Sequence, residues 1–454
     1  MRLLSALFCL VFPFFVHAQS SGKTIEQFTQ GMKAQPGFVS LYYDASSGKV
    51  YGEVSQLNQE ILYYTSLARG IGSNDIGLDR GKLGTEHVVK FEKMGQKLFL
   101  TELNYAYRAI SNDPLEKKAV EESFAKSVHF AFDIVAQSKT AFLIDLTPFV
   151  LRDAVQAIES ISETNQGSFK IEPSRCAVFE EMTKSFPKNT EIETIITLSG
   201  TKPGRYLQAV VPTPSVVTMH QHHSFVELPD AGFKPREFDP RIGYNGIEFY
   251  DYSSPIHEPI VKKYISRHRL EKKDPTATLS EPVEPIVYYL DPGTPEPIRS
   301  ALFEGATWWN QAFEYAGYKN AFQVKMLPPD ADPMDIRYNL IQWVHRSTRG
   351  WSYGASIIDP RTGEILKGKV TLGSLRVRQD FLIAQGLVGN FSTADTSLSE
   401  MYQMSLDRLK QLSAHEIGHT LGLPHNYISS TKDRASVMDY PHPLVDHGEA
   451  RDAA

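Results

Sequence analysis

The stretch that most constrains this chain is His415-Glu416-Ile417-Gly418-His419-Thr420-Leu421-Gly422-Leu423-Pro424-His425. Residues four apart on a helix share a face, so His415 and His419 present two imidazoles toward one point. Gly422 can leave the helix through a left-handed conformation and Pro424 forbids its resumption, which lets His425 return beneath the first pair. Three neutral imidazoles with a fourth position free are the donor set of a catalytic zinc ion, whereas structural zinc sites are closed by four protein ligands, often thiolates. Glu416, beside the first ligand, is positioned to hold and deprotonate a water there. One catalytic Zn2+ held by His415, His419 and His425 is therefore expected.

Downstream, Ser436-Val437-Met438-Asp439-Tyr440 forms a methionine-containing turn. The pattern HExxHxxGxxH followed by such a turn resembles the metzincin metallopeptidase signature. Its Ser-x-Met-x-Tyr form is similar to that of astacins and serralysins, in which the Met lies beneath the zinc and the Tyr approaches it. The resemblance implies packing under the imidazoles for Met438 and stabilisation of a developing oxyanion for Tyr440. More widely, residues 23–445 resemble large bacterial zinc-dependent metalloproteases that carry a long N-terminal module before the metzincin domain. The implied activity is zinc-dependent endopeptidase, acting on a protein or peptide bound in extended form, with Glu416 as the base. The resembling proteins continue for hundreds of residues past the turn, while fourteen follow Tyr440 here. A largely missing C-terminal subdomain is thus expected, and the alternative reading is a catalytically impaired zinc-binding or adhesion protein on a truncated protease fold.

The N-terminus reads as an address. Arg2, an apolar run from Leu3 to Val16 and the small-residue pattern ending at Ala18 predict a signal peptide over 1–18 and export to the periplasm or the extracellular space. The run is too short for a transmembrane anchor. Cys9 falls within it, so Cys176 is the one cysteine left after processing and no internal disulfide is expected. A formal charge of -6 offers no footprint for nucleic acid, and the 41% of hydrophobic residues suffices for two or three ordinary cores. Nothing in the sequence sets the oligomeric state.

The predicted class is α+β, in two parts. A β-rich module over 19–273 shows short alternating runs separated by turn clusters such as Asp44-Ala45-Ser46-Ser47-Gly48. Helices are predicted at 114–126 and at 148–160, the second with Thr147 as N-cap, and strands at 192–199, 206–211 and 247–252. A Pro-containing linker over 274–285 leads into a metzincin-like zincin domain, 286–454, with a mixed twisted sheet and long helices. There, strands are predicted at 286–290, 322–326, 340–344, 354–358 and 369–372. A helix opened by Pro295 and Pro297, with Thr294 as cap, closes near Gly317. The active-site helix carrying HExxH runs from Ser397, with Glu400 completing a capping box, through His419. The resemblance implies an exposed edge strand that pairs with substrate, sought first within 352–358.

Other features receive plainer readings. His220, His222 and His223 read as part of a surface or interface strand and not as a metal site, since alternation sends His222 and its neighbours to opposite faces. Cys176 reads as a buried thiol and not as a zinc-blocking cysteine. Asp330, Asp332 and Asp335 fit turn and cap roles better than a calcium loop. The run Arg267 to Lys273 reads as a solvated edge or linker.

Overall fold

Short turns can only return a strand antiparallel to its predecessor, and the first half of the chain is built that way. The computed structural model describes residues 23–347, 350–388 and 396–440. The predicted signal peptide, Cys9 and the segment after Tyr440 lie outside the described residues. Among those described, the N-terminal half forms a thirteen-stranded antiparallel array. Its middle runs through Phe142–Asp145, Ser127–Gln137, Lys97–Glu102, His87–Met94, Ile61–Arg69, Val216–Glu227 and Asn189–Thr201, in that order. Leu98, Leu100, Phe132, Phe149 and Phe225 fill its main core. Each such side chain contributes roughly 1.5–3 kcal/mol on burial.

Two local predictions fail here for identifiable reasons. The segment expected as a strand at 206–211 is a helix, Arg205–Val210, with the Tyr206 N–H held by Gln166 Oε1 at 2.9 Å. Six residues are too few for periodicity to separate the two states. The helix expected at 148–160 is broken into Thr147–Val150 and Ala157–Glu163. Asp153 supplies the second helix with its cap, accepting the N–H groups of Ala157 and Ile158 at 2.8 Å each. Thr147 is not a cap; its hydroxyl oxygen accepts the Val50 N–H at 3.0 Å.

The second half is a five-stranded sheet in the order Phe322–Met326, Ile286–Leu290, Asn339–Val344, Ile365–Gly373, Tyr353–Ile358. The first four are parallel, and the last is an antiparallel edge strand. Parallel neighbours need a crossover, supplied after the first strand by the helices Ile298–Thr307 and Trp309–Tyr315. The expected cap at Thr294 is not used: Pro297 precedes the first helical residue, and the Thr294 hydroxyl is buried without a partner. Ala301, Leu302 and Ala306 pack with Leu409, Ile417 and Leu421 over one face of the sheet. A further helix, Leu375–Val388, was not foreseen, because Leu382, Ile383 and Leu387 are exposed and blur its apolar stripe.

The two halves are tied together. Leu62, Tyr64, Val88 and Val226 of the array share a cluster with Ile336 and Ile357. Arg346 donates to Asp79 at 2.8 Å in a buried pair, whose rupture from one side costs about 3–5 kcal/mol. The charged run is a clasp and not the solvated edge expected: Arg269 bonds both Glu364 and Asp230 at 2.8 Å. The 274–285 stretch is likewise pinned, Ser280 donating its N–H to Gly317 at 3.1 Å and accepting that of Lys319 at 2.9 Å. Among the described residues, no helix is long and apolar enough to cross a membrane.

Candidate metal centre

The helix Thr396–Thr420 carries the histidine pair. It starts one residue before Ser397, and the side chains of 396–398 lie outside those described, so the capping box is not visible. Ala414, Ile417 and Leu421 are buried on the sheet side, as the 3.6-residue period demands. The helix ends as its glycine requires: Gly422 has φ of 99°, and the Leu423 N–H returns to the Gly418 carbonyl at 3.0 Å. The Gly422 carbonyl then accepts the Asn245 N–H at 2.7 Å, so a residue of the β-rich half holds the helix end. The chain turns back and brings His425 to the pair, with ring centroids 4.8 Å from His419 and 5.2 Å from His415.

Hydrogen bonding sets the tautomers. His415 donates its Nδ1–H to the Val437 carbonyl and His419 its Nδ1–H to the Leu423 carbonyl, both at 2.7 Å. Burial is the main influence holding His415 down to about 4 and His419 below its ordinary value, so both rings are neutral. Each Nε2 is then a bare lone pair, and the two face each other at 3.2 Å. His425 shares a hydrogen bond between its Nδ1 and the Tyr427 hydroxyl at 3.1 Å, and its buried Nε2 has no hydrogen-bond partner among the described residues. All three donor atoms lie within 4.8 Å of one another. Facing lone pairs repel unless a cation lies between them, and ligands at about 2.0–2.1 Å from a tetrahedral zinc sit about 3.3 Å apart. The donor set therefore fits zinc.

Met438 forms the floor, 3% exposed. A Cβ on Gly418 would lie 2.2 Å from its sulfur, so the absent side chain is what admits the methionine beneath the helix. The turn is fixed by Asp439, whose carboxylate accepts from Ser429, Ser430 and the Tyr440 N–H. Glu416 is buried beside the trio. Burial pushes its carboxyl up to about 8, against the pull of the Gly354 N–H and the Arg376 charge. Tyr440 stands at the mouth, 62% exposed, its ring 4.7 Å from that of His425. Its hydroxyl makes no hydrogen bond among the described residues.

Tertiary structure also supplies partners that sequence reasoning missed: the carbonyls of Val437 and Leu423, the Gly354 N–H, and Tyr427. Backbone groups leave no residue-type signal, and only Tyr427, two residues beyond His425, was in view. Elsewhere the turn reading of the aspartates stands, but the histidine strand is not the surface or interface strand expected: it lies between two partners inside the array, with His223 wholly buried. His220 and His222 both bond Glu193, at 2.5 and 2.6 Å, while His223 turns to the other face and bonds the Val150 carbonyl at 2.9 Å. The Cys176 thiol, expected to be buried, is half-buried: it packs against a core of the β-rich half and donates to the Glu172 carbonyl. Asp332 accepts the Met334 N–H and Asp335 that of Arg337, which are turn roles.

A family model described as Met-zincin matches residues 397–451, and one described as a domain of unknown function (DUF5117) matches residues 81–273. No curated protein and no solved structure matches the chain. The histidine group falls inside the first match, and the two together support a metzincin-type zincin site.

Proposed function

We propose that the chain is a zinc-dependent endopeptidase. The observation that carries this reading is the convergence of three imidazoles, their donor atoms within 4.8 Å of one another, next to the buried Glu416. When bound, zinc supplies the Lewis acidity that polarises a scissile carbonyl and acidifies a neighbouring water. Glu416 accepts the proton of the attacking water and returns it to the leaving amine. The carbonyls of Val437 and Leu423 hold two of the rings in place, so no reorganisation accompanies the reaction. Tyr440, exposed and with no hydrogen bond to its hydroxyl among the described residues, donates that hydroxyl to the oxyanion as the carbonyl carbon becomes tetrahedral.

The substrate is an extended peptide that pairs with the edge strand Tyr353–Ile358, which adjoins Glu416 through Gly354. The enzyme works after export, following the leader read over 1–18. In a digest of a peptide library, the wild-type chain loaded with one zinc should cleave and a chelator should stop it. Glu416→Gln should keep the metal and lose about 10²–10⁴-fold in turnover. Undiminished turnover in that variant, or a zinc-loaded wild type that cuts nothing, would falsify the proposal.

A further inference from the structure

A second convergence of metal-ligating side chains lies in the β-rich half. His87, Glu102 and His129 come from three neighbouring strands, and their donor atoms lie within 4.8 Å of one another. The Glu102 carboxylate uses one oxygen for each ring, facing His87 Nδ1 and His129 Nε2 at 2.9 Å each. The pairing register shows how His129 reaches this place. Leu100 pairs with Phe130 and Thr101 with Val128, so His129 is the extra residue of a β-bulge. A bulge interrupts the ladder and re-aims one side chain, a device found beside functional sites.

The rings are also backed. Tyr63 lies against both, with centroids 6.2 Å from His87 and 6.0 Å from His129. Its hydroxyl donates to His223 Nδ1 at 2.9 Å, and His223 Nε2–H donates in turn to the Val150 carbonyl at 2.9 Å. On their open side, His87 and His129 line a cavity of about 650 Å3 that also has Thr65, Lys82 and Arg152 on its wall. Both rings therefore border open space through which a small ion could reach them.

We propose that His87, Glu102 and His129 are a second divalent-cation site, separate from the helix trio. Two imidazoles and a carboxylate suit a first-row ion such as zinc, which here would replace the two N–H···O contacts by direct bonds. Lys82 and Arg152 repel a cation, so this site is the weaker of the two. The competing description is a carboxylate that merely accepts an N–H from each ring.

Calorimetric titration of the full, metal-stripped chain with Zn2+ separates the two. The wild type should take two equivalents in two affinity classes. His415→Ala/His419→Ala should keep only the weaker, and adding His129→Ala should abolish it. Glu102→Gln, which preserves shape, should also take one equivalent, with an unchanged circular dichroism spectrum. A wild type that takes a single equivalent, lost entirely in His415→Ala/His419→Ala, would overturn the proposal. So would undiminished weak binding in correctly folded Glu102→Gln. Because the readout is binding, failure of the peptidase reading would leave this test intact.

Discussion

The two histidine-containing trios are assembled by opposite means. His415, His419 and His425 lie within eleven consecutive residues, where helix pitch and one glycine bring them together. His87, Glu102 and His129 come from separate strands, and strand pairing with a bulge unites them. The electrostatics differ too. In the helix trio the outward Nδ1–H groups of His415 and His419 go to backbone carbonyls, leaving their Nε2 lone pairs facing each other on the inner side. In the sheet trio a carboxylate already satisfies both rings. The first arrangement could hold a zinc ion, whereas in the second the carboxylate already partners both rings.

The widest expected contrast is catalytic. Glu416→Gln should lower kcat/KM by about 10²–10⁴-fold, while Glu102→Gln leaves peptide cleavage unchanged. Equal losses in the two variants would erase the division of labour. Next, Met438→Ala removes the floor of the helix trio only. It should cost about 2–5 kcal/mol in a urea melt and weaken zinc binding there by about 10–100-fold. Unaltered zinc affinity would show that the methionine fills space without supporting the rings.

A smaller effect belongs to the backing of the sheet trio. Tyr63→Phe leaves the buried His223 Nδ1 without a donor and should cost about 1–3 kcal/mol, read from the urea midpoint. No change would mean that the hydroxyl contributes nothing there.

The last contrast is in pH. Burial holds His223 down to about 3, against an ordinary value near 6.5. Between those values the unfolded chain binds a proton that the folded chain refuses, so stability is complete above pH 6.5 and falls as pH drops toward 3. One such group gives a slope of at most about 1.4 kcal/mol per pH unit. Urea midpoints at pH 7 and pH 5 should differ more for the wild type than for His223→Gln; identical differences would contradict the assignment.

How much could be read in advance follows the same division. The strands Ile286–Leu290 and Phe322–Met326 matched their predicted bounds because proline, glycine and charge punctuate short apolar runs there. The edge strand Tyr353–Ile358 was found within a residue, because a Pro-Gly turn separates it from its neighbour. The helices Arg205–Val210 and Leu375–Val388 escaped, the first too short for a period and the second apolar around too much of its circumference. In the site, the three histidines and Met438 were legible as residue types, but what orients them was not.

By itself, the sequence determined the helix trio, since a four-residue spacing followed by a glycine exit acts through local backbone geometry, whatever surrounds it. Only the tertiary structure decided that Val437 and Leu423 would fix the tautomers, that Gly354 would meet Glu416, and that Glu102 would stand between His87 and His129. Those contacts join groups far apart in the chain, or carbonyls that every residue possesses. Their positions are set by pairing register and packing, which no local pattern of side chains encodes.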